Sequence, residues 1–346
     1  MSIFKRFRIS FRRIAGARTL LSVLVILCAP MASWAATTLK VAALSPDGSV
    51  WMKRLREAGK SIESATQGEV KLKFYPGGVM GDDKAVLRKI RAGQLHGAVL
   101  TSGGLVGVDP NFQLYSLPLA FASSEEAMAI RAAFDERLLD NLRGNGFTGF
   151  GVAEVGFAYV MTQAPVASVA DVRQQKVWIP DNDPGAARLL ESFSIKGIPL
   201  SIADVLTGLQ TGLVNTVAAP PVGAIALQWY TQVGHALDMP LMYVYGTLAI
   251  GNRYFDKLPA AQQKIVRENL LAAVHDVDNL ARRDDANAKS AVGDQGIQWH
   301  APSAEQLAEW RSLARVANDR FAADGYIDAQ LYKDFQSAID ARRNGG

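Results

Sequence analysis

The sequence predicts a two-lobed α/β protein braced by one long helix, and three observations predict it. Short apolar strands alternate with amphipathic helices between about residues 39 and 219, a pattern that builds a sheet flanked by helices. A helix–glycine–strand unit occurs twice. Leu87, Ile90, Gly93, Leu95, His96 and Ala98 find counterparts in Leu206, Leu209, Gly212, Val214, Asn215 and Val217, each 119 positions later. That offset is too long for a solenoid repeat and fits two lobes built on one plan. Third, a polar-rich helical pattern runs without a breaker from about Pro259 to Ala291. It is too long for one packed face of a small lobe, so it reads as a helix bracing both.

The elements follow in order. Residues 1–35 read as a secretory signal peptide. Lys5, Arg6, Arg8, Arg12, Arg13 and Arg18 precede an apolar run from Leu20 to Leu27, and Ser33-Trp34-Ala35 supplies a small-x-small cut site. The apolar run is too short to span a bilayer comfortably. A strand at Leu39–Leu44 leads into the turn Ser45-Pro46-Asp47-Gly48, with Asp47 as candidate cap of a helix running to about Thr66. A strand at Val70–Phe74 ends at Pro76-Gly77-Gly78, and a helix spans about Asp82 to Ala92. After a helix at Glu125–Arg143 a strand is expected at Phe150–Glu154. In the second lobe a strand at Lys176–Ile179 stops at Pro180, and Pro184 sits in the first turn of a helix at Asp183–Ser194. Ser201-x-x-Asp204 resembles a capping box opening the second copy of the repeat. Its strand, Thr216–Ala219, ends at Pro220-Pro221, and helices near 303–323 and 327–342 close the chain.

Composition excludes several function classes. The chain has 346 residues, 49% hydrophobic and 20% charged, as an ordinary globular protein of about two domains does. Without the six basic residues of the signal segment, 31 Lys and Arg face 33 Asp and Glu. The mature chain is then slightly acidic, which argues against nucleic acid as a partner. The lone cysteine, Cys28, leaves with the signal, so neither disulfide nor thiol chemistry is expected. His96, His235, His275 and His300 lie at no metal-ligand spacing, and no nucleophile elbow, P-loop or His-Glu-x-x-His occurs. Neither cofactor nor catalysis is expected. Gly144-Asn145-Gly146-Phe147-Thr148-Gly149 matches G-x-G-x-x-G, but it follows a helix and precedes a strand. That is the reverse of the order a dinucleotide site needs, so it reads as a helix C-cap and loop.

An ordered set of segments carries a resemblance over nearly all of the mature chain. Tyr75-Pro76-Gly77-Gly78-x-x-Gly81, Leu117-Pro118-Leu119 within Asn111–Phe121, Ala203-Asp204-Val205-x-x-Gly208-Leu209-Gln210-Thr211-Gly212 and Phe255-x-x-Leu258-Pro259 resemble the DctP-type solute receptors of TRAP (tripartite ATP-independent periplasmic) transporters. The resemblance implies a type II-like, Venus-flytrap binding protein whose two α/β lobes close on a ligand. Lobe one would hold 36–155 plus 245–283, and lobe two 156–244 plus 284–346. It also implies a periplasmic location, a small organic solute as ligand, and a small and a large membrane subunit as partners. A ligand-sensing receptor feeding a membrane signalling protein is the alternative.

The chain departs from its family at the ligand. The family's arginine in the strand motif I-R-V-P, a bidentate carboxylate clamp, reads Trp178 here, in Val177-Trp178-Ile179-Pro180. A second arginine would fall at Ala158, after Gly156-Phe157, and the family's ligand-facing asparagine becomes Ala219, before Pro220. A buried carboxylate without a charged partner costs several kcal/mol. The site is therefore expected to be apolar and aromatic, lined by Trp178, Phe157, Ile202 and Trp51. Asp181 and Asp183 beside Trp178 would suit a cation, though Asp183 also suits the N-cap of the helix at Pro184. Thr101, Ser102, amides near Ser45 and the Trp178 indole N–H are the donors expected for an acid.

Overall fold

Two long antiparallel strands hold the molecule together. The computed structural model describes residues 36–181 and 183–345, so the expected signal peptide lies outside the described residues. One sheet of 11 strands runs through the described chain. In its first half β1 (Thr37–Ala43) lies between β2 (Val70–Tyr75) and β3 (Gly97–Thr101), all parallel. In its second half β6 (Val177–Pro180) lies between β7 (Gly197–Leu200) and β8 (Thr216–Ala219), again all parallel. The halves are joined by β5 (Ala153–Thr162) and β10 (Met242–Gly251). Tyr159–Thr162 of β5 pair with β8, Gly246–Ile250 of β10 pair with β3, and the other ends of the two strands pair with each other. The β5–β10 register shifts between Val244 and Tyr245, a bulge at the crossing.

The internal repeat is present as structure. Helix α1 (Asp83–Arg91) and helix α2 (Val205–Gln210) each end near a left-handed glycine, Gly93 at φ +84° and Gly212 at φ +70°. A Cβ would strain that conformation, which is why glycine closes both units. β3 and β8 follow, each next to the crossing strand of its half.

Alternation along β1 assigns its faces. Leu39, Val41 and Ala43 enter one core with Met52, Leu55 and Ile62 of the helix Val50–Ala65, while Ala42 enters the core on the other face. The long helix, Ala260–Asp294, adds Val266, Leu270, Val274 and Val277 to that first core, and it also packs against β5 and against the helix Pro221–Ala226. It thus touches both halves of the sheet. At the crossing, a Cβ on Gly156 (φ +138°) would lie 2.4 Å from Asp285 Oδ1 of this helix, an oxygen with no hydrogen-bond partner. Burial, with Glu154 nearby, raises the Asp285 carboxyl to about 7.

Three local expectations need correction. Ser49, not Asp47, caps Val50–Ala65 by accepting the Met52 amide at 3.3 Å, and Asp47 instead pairs with Arg56 at 3.0 Å. Ser201 and Asp204 form no capping box. The serine hydroxyl donates to the Asp204 carboxylate at 2.6 Å, and the segment enters through a turn of 3₁₀ helix, Ile202–Asp204. The strand expected at 150–154 begins only at Ala153, as β5, because Gly151 at φ +82° interrupts the extended run and separates it from the short β4 (Phe147–Gly149). The glycine-rich decoy closes the helix Ser124–Gly144 and carries β4.

Candidate functional site

Parallel strands leave their loops and helix starts at their carboxyl ends, and in α/β sheets the crevice for a ligand opens there. A cleft of about 700 Å³ occupies that position. It is bordered by Leu44 just after β1, Thr101 at the end of β3, Pro180 at the end of β6 and Ala219 at the end of β8. Leu241, Met242 and Val244, at the start of β10, form its floor where the halves cross. The cleft therefore draws on both copies of the repeat.

Trp178, Asp181, Asp183, Thr101, Ser102, Ile202, Ala219 and Pro220 all line this space. Four other expected residues do not. Trp51 packs inward with Met52 and Leu55 in the core beneath β1. Phe157 turns edge-on to Tyr243 at 5.5 Å, and Ala158 is buried in the β5–β10 ladder opposite Met242. The Ser45 carbonyl accepts the Gly77 amide at 2.9 Å, tying two loops together.

The second half supplies an apolar wall. Trp178 is 7% exposed and meets Trp229 edge to face, the ring centres 5.1 Å apart at 72°. Its indole N–H donates to the Leu200 carbonyl at 3.0 Å. The donor expected to be free for a solute thus ties β6 to β7. Ile179, Leu189, Leu190, Ile202 and Leu227 extend the wall.

The first half supplies most of the polar lining, and Asp183 of the second half joins it. Asp83, at the start of α1, accepts the Thr101 hydroxyl at 2.5 Å. Thr101 Oγ1 in turn accepts the Gly104 amide at 3.3 Å and so caps the helix Ser102–Val106. The Thr101 hydroxyl proton is therefore committed to Asp83. Burial raises the Asp83 carboxyl to about 6, with Asp82 and Asp183 adding to the rise and the Thr101 bonds opposing it. Asp183 caps Pro184–Ser192 by accepting the Ala186 amide at 2.9 Å, and burial raises its carboxyl too. Buried Gln113 completes this end.

The halves touch here. A Cβ on Gly103 would lie 2.7 Å from Asp183 Oδ2, and one on Gly185 would lie 1.9 Å from Gln113 Oε1. Only glycine permits either approach. Among the described residues, the cations lining the cleft are Lys84, Arg88 and Arg91, all exposed along α1.

Asp83, Gln113 and Trp229 escaped the sequence reading. An aspartate at a helix start looks like a cap, and no local pattern marks the other two. Among the described residues no group of three or more His, Cys, Asp or Glu could hold a metal ion, and no helix is long and apolar enough to cross a membrane.

Comparison with known proteins gives one consistent answer. Residues 41–324 match the family model for bacterial extracellular solute-binding protein, family 7 (DctP). The chain is 26% identical over 279 residues to the 2,3-diketo-L-gulonate-binding periplasmic protein YiaO of Escherichia coli, covering 79% of this chain and 83% of that one. It is 23% identical over 284 residues to the sialic acid-binding periplasmic protein SiaP of Vibrio cholerae, covering 80% and 86%. Among solved structures, a TRAP periplasmic solute-binding protein of Haemophilus influenzae with bound L-gulonate aligns at TM-score 0.80 and 17% identity, over 87% of this chain and 99% of that one. One from Desulfovibrio salexigens with bound orotic acid aligns at TM-score 0.79 and 18% identity, over 88% and 98%. With its paired half-sheets, its crossing strands and a family match that spans most of its length, this chain belongs to the DctP family of TRAP periplasmic solute-binding proteins.

Proposed function

We propose that this chain is exported to the periplasm as the receptor of a TRAP-type importer, takes one small organic solute into the cleft, and passes it unchanged to a small and a large membrane subunit. The observation that carries this reading is the cleft of about 700 Å³ at the carboxyl ends of β1, β3, β6 and β8. The names of the relatives support a small organic solute, since they bind 2,3-diketo-L-gulonate and sialic acid. The bulge between Val244 and Tyr245 supports lobes of 36–155 plus 245–283 and 156–244 plus 284–346, with the hinge at the strand crossing.

The site is more apolar and aromatic than a carboxylate clamp requires. Trp178 and Ala219 line the cleft where the resemblance puts an arginine and an asparagine to anchor an acid, and the Trp178–Trp229 pair supplies a flat face for an apolar or aromatic body. Thermal unfolding with a panel of acids, amines and neutral aromatics tests the reading. A solute at about 100 times its Kd adds about 2.7 kcal/mol to stability. The solute released by denaturation should be chemically unaltered by mass spectrometry. A bound solute that comes back transformed would sink the receptor reading.

A further inference from the structure

The polar groups at the Asp83 end of the cleft are acceptors in want of donors. Asp83 and Asp183 flank the Gly103-Gly104 step, since Cβ atoms there would lie 2.7 Å from Asp183 Oδ2 and 2.5 Å from Asp83 Oδ2. Among the described residues neither carboxylate has an ion-pair partner, and no cation is among the groups that shift either one. Gln113 is an independent observation. It is 4% exposed, its amide nitrogen donates to the Ser116 carbonyl at 3.2 Å, and no described residue donates to its Oε1. That oxygen faces the same place, because a Cβ on Gly185 would lie 1.9 Å from it and 3.2 Å from Asp183 Oδ1. An acceptor or carboxylate that gives up water to an occupant without gaining a donor or a counter-charge is costly, so an occupant that brings both is favoured.

We propose that the cleft selects a solute bearing a protonated nitrogen, an ammonium or amidinium, held by Asp83, Asp183 and Gln113 Oε1, with its apolar body against Trp178 and Trp229. This rests on the receptor reading above. Both carboxylates accept from a cation, the amide oxygen accepts a further N–H, and the indole faces favour positive charge. Arg88 and Arg91 do not reverse the selection. They follow Asp83 by five and eight residues along α1, about 7–12 Å at 1.5 Å per residue, and both are exposed. In water they hold an anion weakly. They can meet the acid group of a zwitterion whose amine lies at the far end.

Calorimetry at pH 7.5 on the purified protein tests this with phenethylamine, phenylalanine, phenylacetate and galacturonate. The expected result is binding of phenethylamine or phenylalanine at least tenfold tighter than either pure acid. Asp83→Asn and Asp183→Asn, which keep the Thr101 contact and the helix cap, should each weaken that binding at least tenfold, with folding checked by circular dichroism. Tighter binding of phenylacetate or galacturonate, or amine binding unchanged in both variants, overturns the selection. A companion experiment separates the two readings. The protein is loaded from a bacterial metabolite extract, washed and denatured, and its solute identified by mass spectrometry. A solute with a protonatable nitrogen supports the inference. One without it overturns the inference and leaves the receptor standing, and recovery of no solute overturns both.

Discussion

The molecule buries acidic side chains in two places, and it treats them oppositely. At the strand crossing, Arg131 is 4% exposed and bonds Tyr243 Oη at 2.7 Å, Asp278 Oδ1 at 2.9 Å, Asp135 Oδ2 at 3.2 Å and the Val152 carbonyl at 2.5 Å. Glu154, fully buried, accepts Ser124 Oγ at 2.6 Å and Tyr243 Oη at 3.1 Å. Burial opposes the Arg131 charge, yet Tyr243, Asp135 and Asp278 outweigh it and hold the guanidinium above its ordinary pKa. Four elements are tied there: the helix Ser124–Gly144, β5, β10 and the long helix. In the cleft, Asp83 and Asp183 have helix amides and a hydroxyl but no cation. The Arg131 cluster is complete as it stands, whereas the cleft is complete only with an occupant.

The largest expected effect breaks the complete cluster. Arg131→Ala leaves buried carboxylates facing one another without their cation, which costs about 3–5 kcal/mol. Urea unfolding should show that loss at pH 7 with or without a bound solute. A loss under 1 kcal/mol would mean that the crossing does not depend on this cluster.

Asp285 tests the comparison from the other side. It lies at the crossing, yet its Oδ1 is unpartnered and its carboxyl is raised to about 7. A raised carboxyl pKa means that the folded state holds the proton more tightly than the unfolded chain. The stability so gained is complete below about pH 4 and is lost as pH rises through 7. Asp285→Asn should therefore be near neutral at pH 4 and stabilise by about 4 kcal/mol at pH 8.5, from a shift of roughly three units. The groups facing it are Glu154, Lys289 and the Phe157 amide. Paired unfolding curves at the two pH values measure the difference, and a flat profile would remove the cost ascribed to this carboxylate.

Asp83→Asn applies the same sign in the cleft at smaller size. Its carboxyl is raised to about 6, so the empty protein loses this contribution as pH rises through 6. Asp82, Asp183 and Thr101 face it, and Lys84 and Arg88 follow on its helix. The variant should stabilise the empty protein by about 3 kcal/mol at pH 8 while weakening an amine ligand. Destabilisation instead would place Asp83 with the structural acids of the crossing.

This opposition explains what the sequence made legible. The two-lobed plan was readable because local chemistry writes it: Gly93 and Gly212 end their helices for the same backbone reason. Trp178 was readable because strand position sends it to the cleft, whatever the side chain. Asp83 was not, since cap and ligand-binding acid share one local pattern and differ only in desolvation. Folding also brings to it the like charge of Asp183, one hundred positions away in the chain. Trp51 and Phe157 misled for a related reason, as an aromatic residue in a helix's first turn or within a strand is equally suited to core and cleft.

The smallest effect separates closure from chemistry. Gly103 lies where the halves meet, and a Cβ there would stand 2.7 Å from Asp183 Oδ2. The residue adopts no left-handed backbone, so Gly103→Ala costs the isolated helix nothing by strain. The methyl instead wedges the first half away from Asp183 and disfavours the approach seen here. Binding of any cleft ligand, cationic or not, should then weaken about tenfold, or about 1.4 kcal/mol. The melting temperature of the empty protein should hardly move. Asp183→Asn makes the contrasting pattern, losing cationic ligands and keeping neutral ones, because it removes negative charge without adding bulk. If Gly103→Ala also discriminates by ligand charge, the two carboxylates and the closing contact are one device, and an occupant's nitrogen draws the halves together.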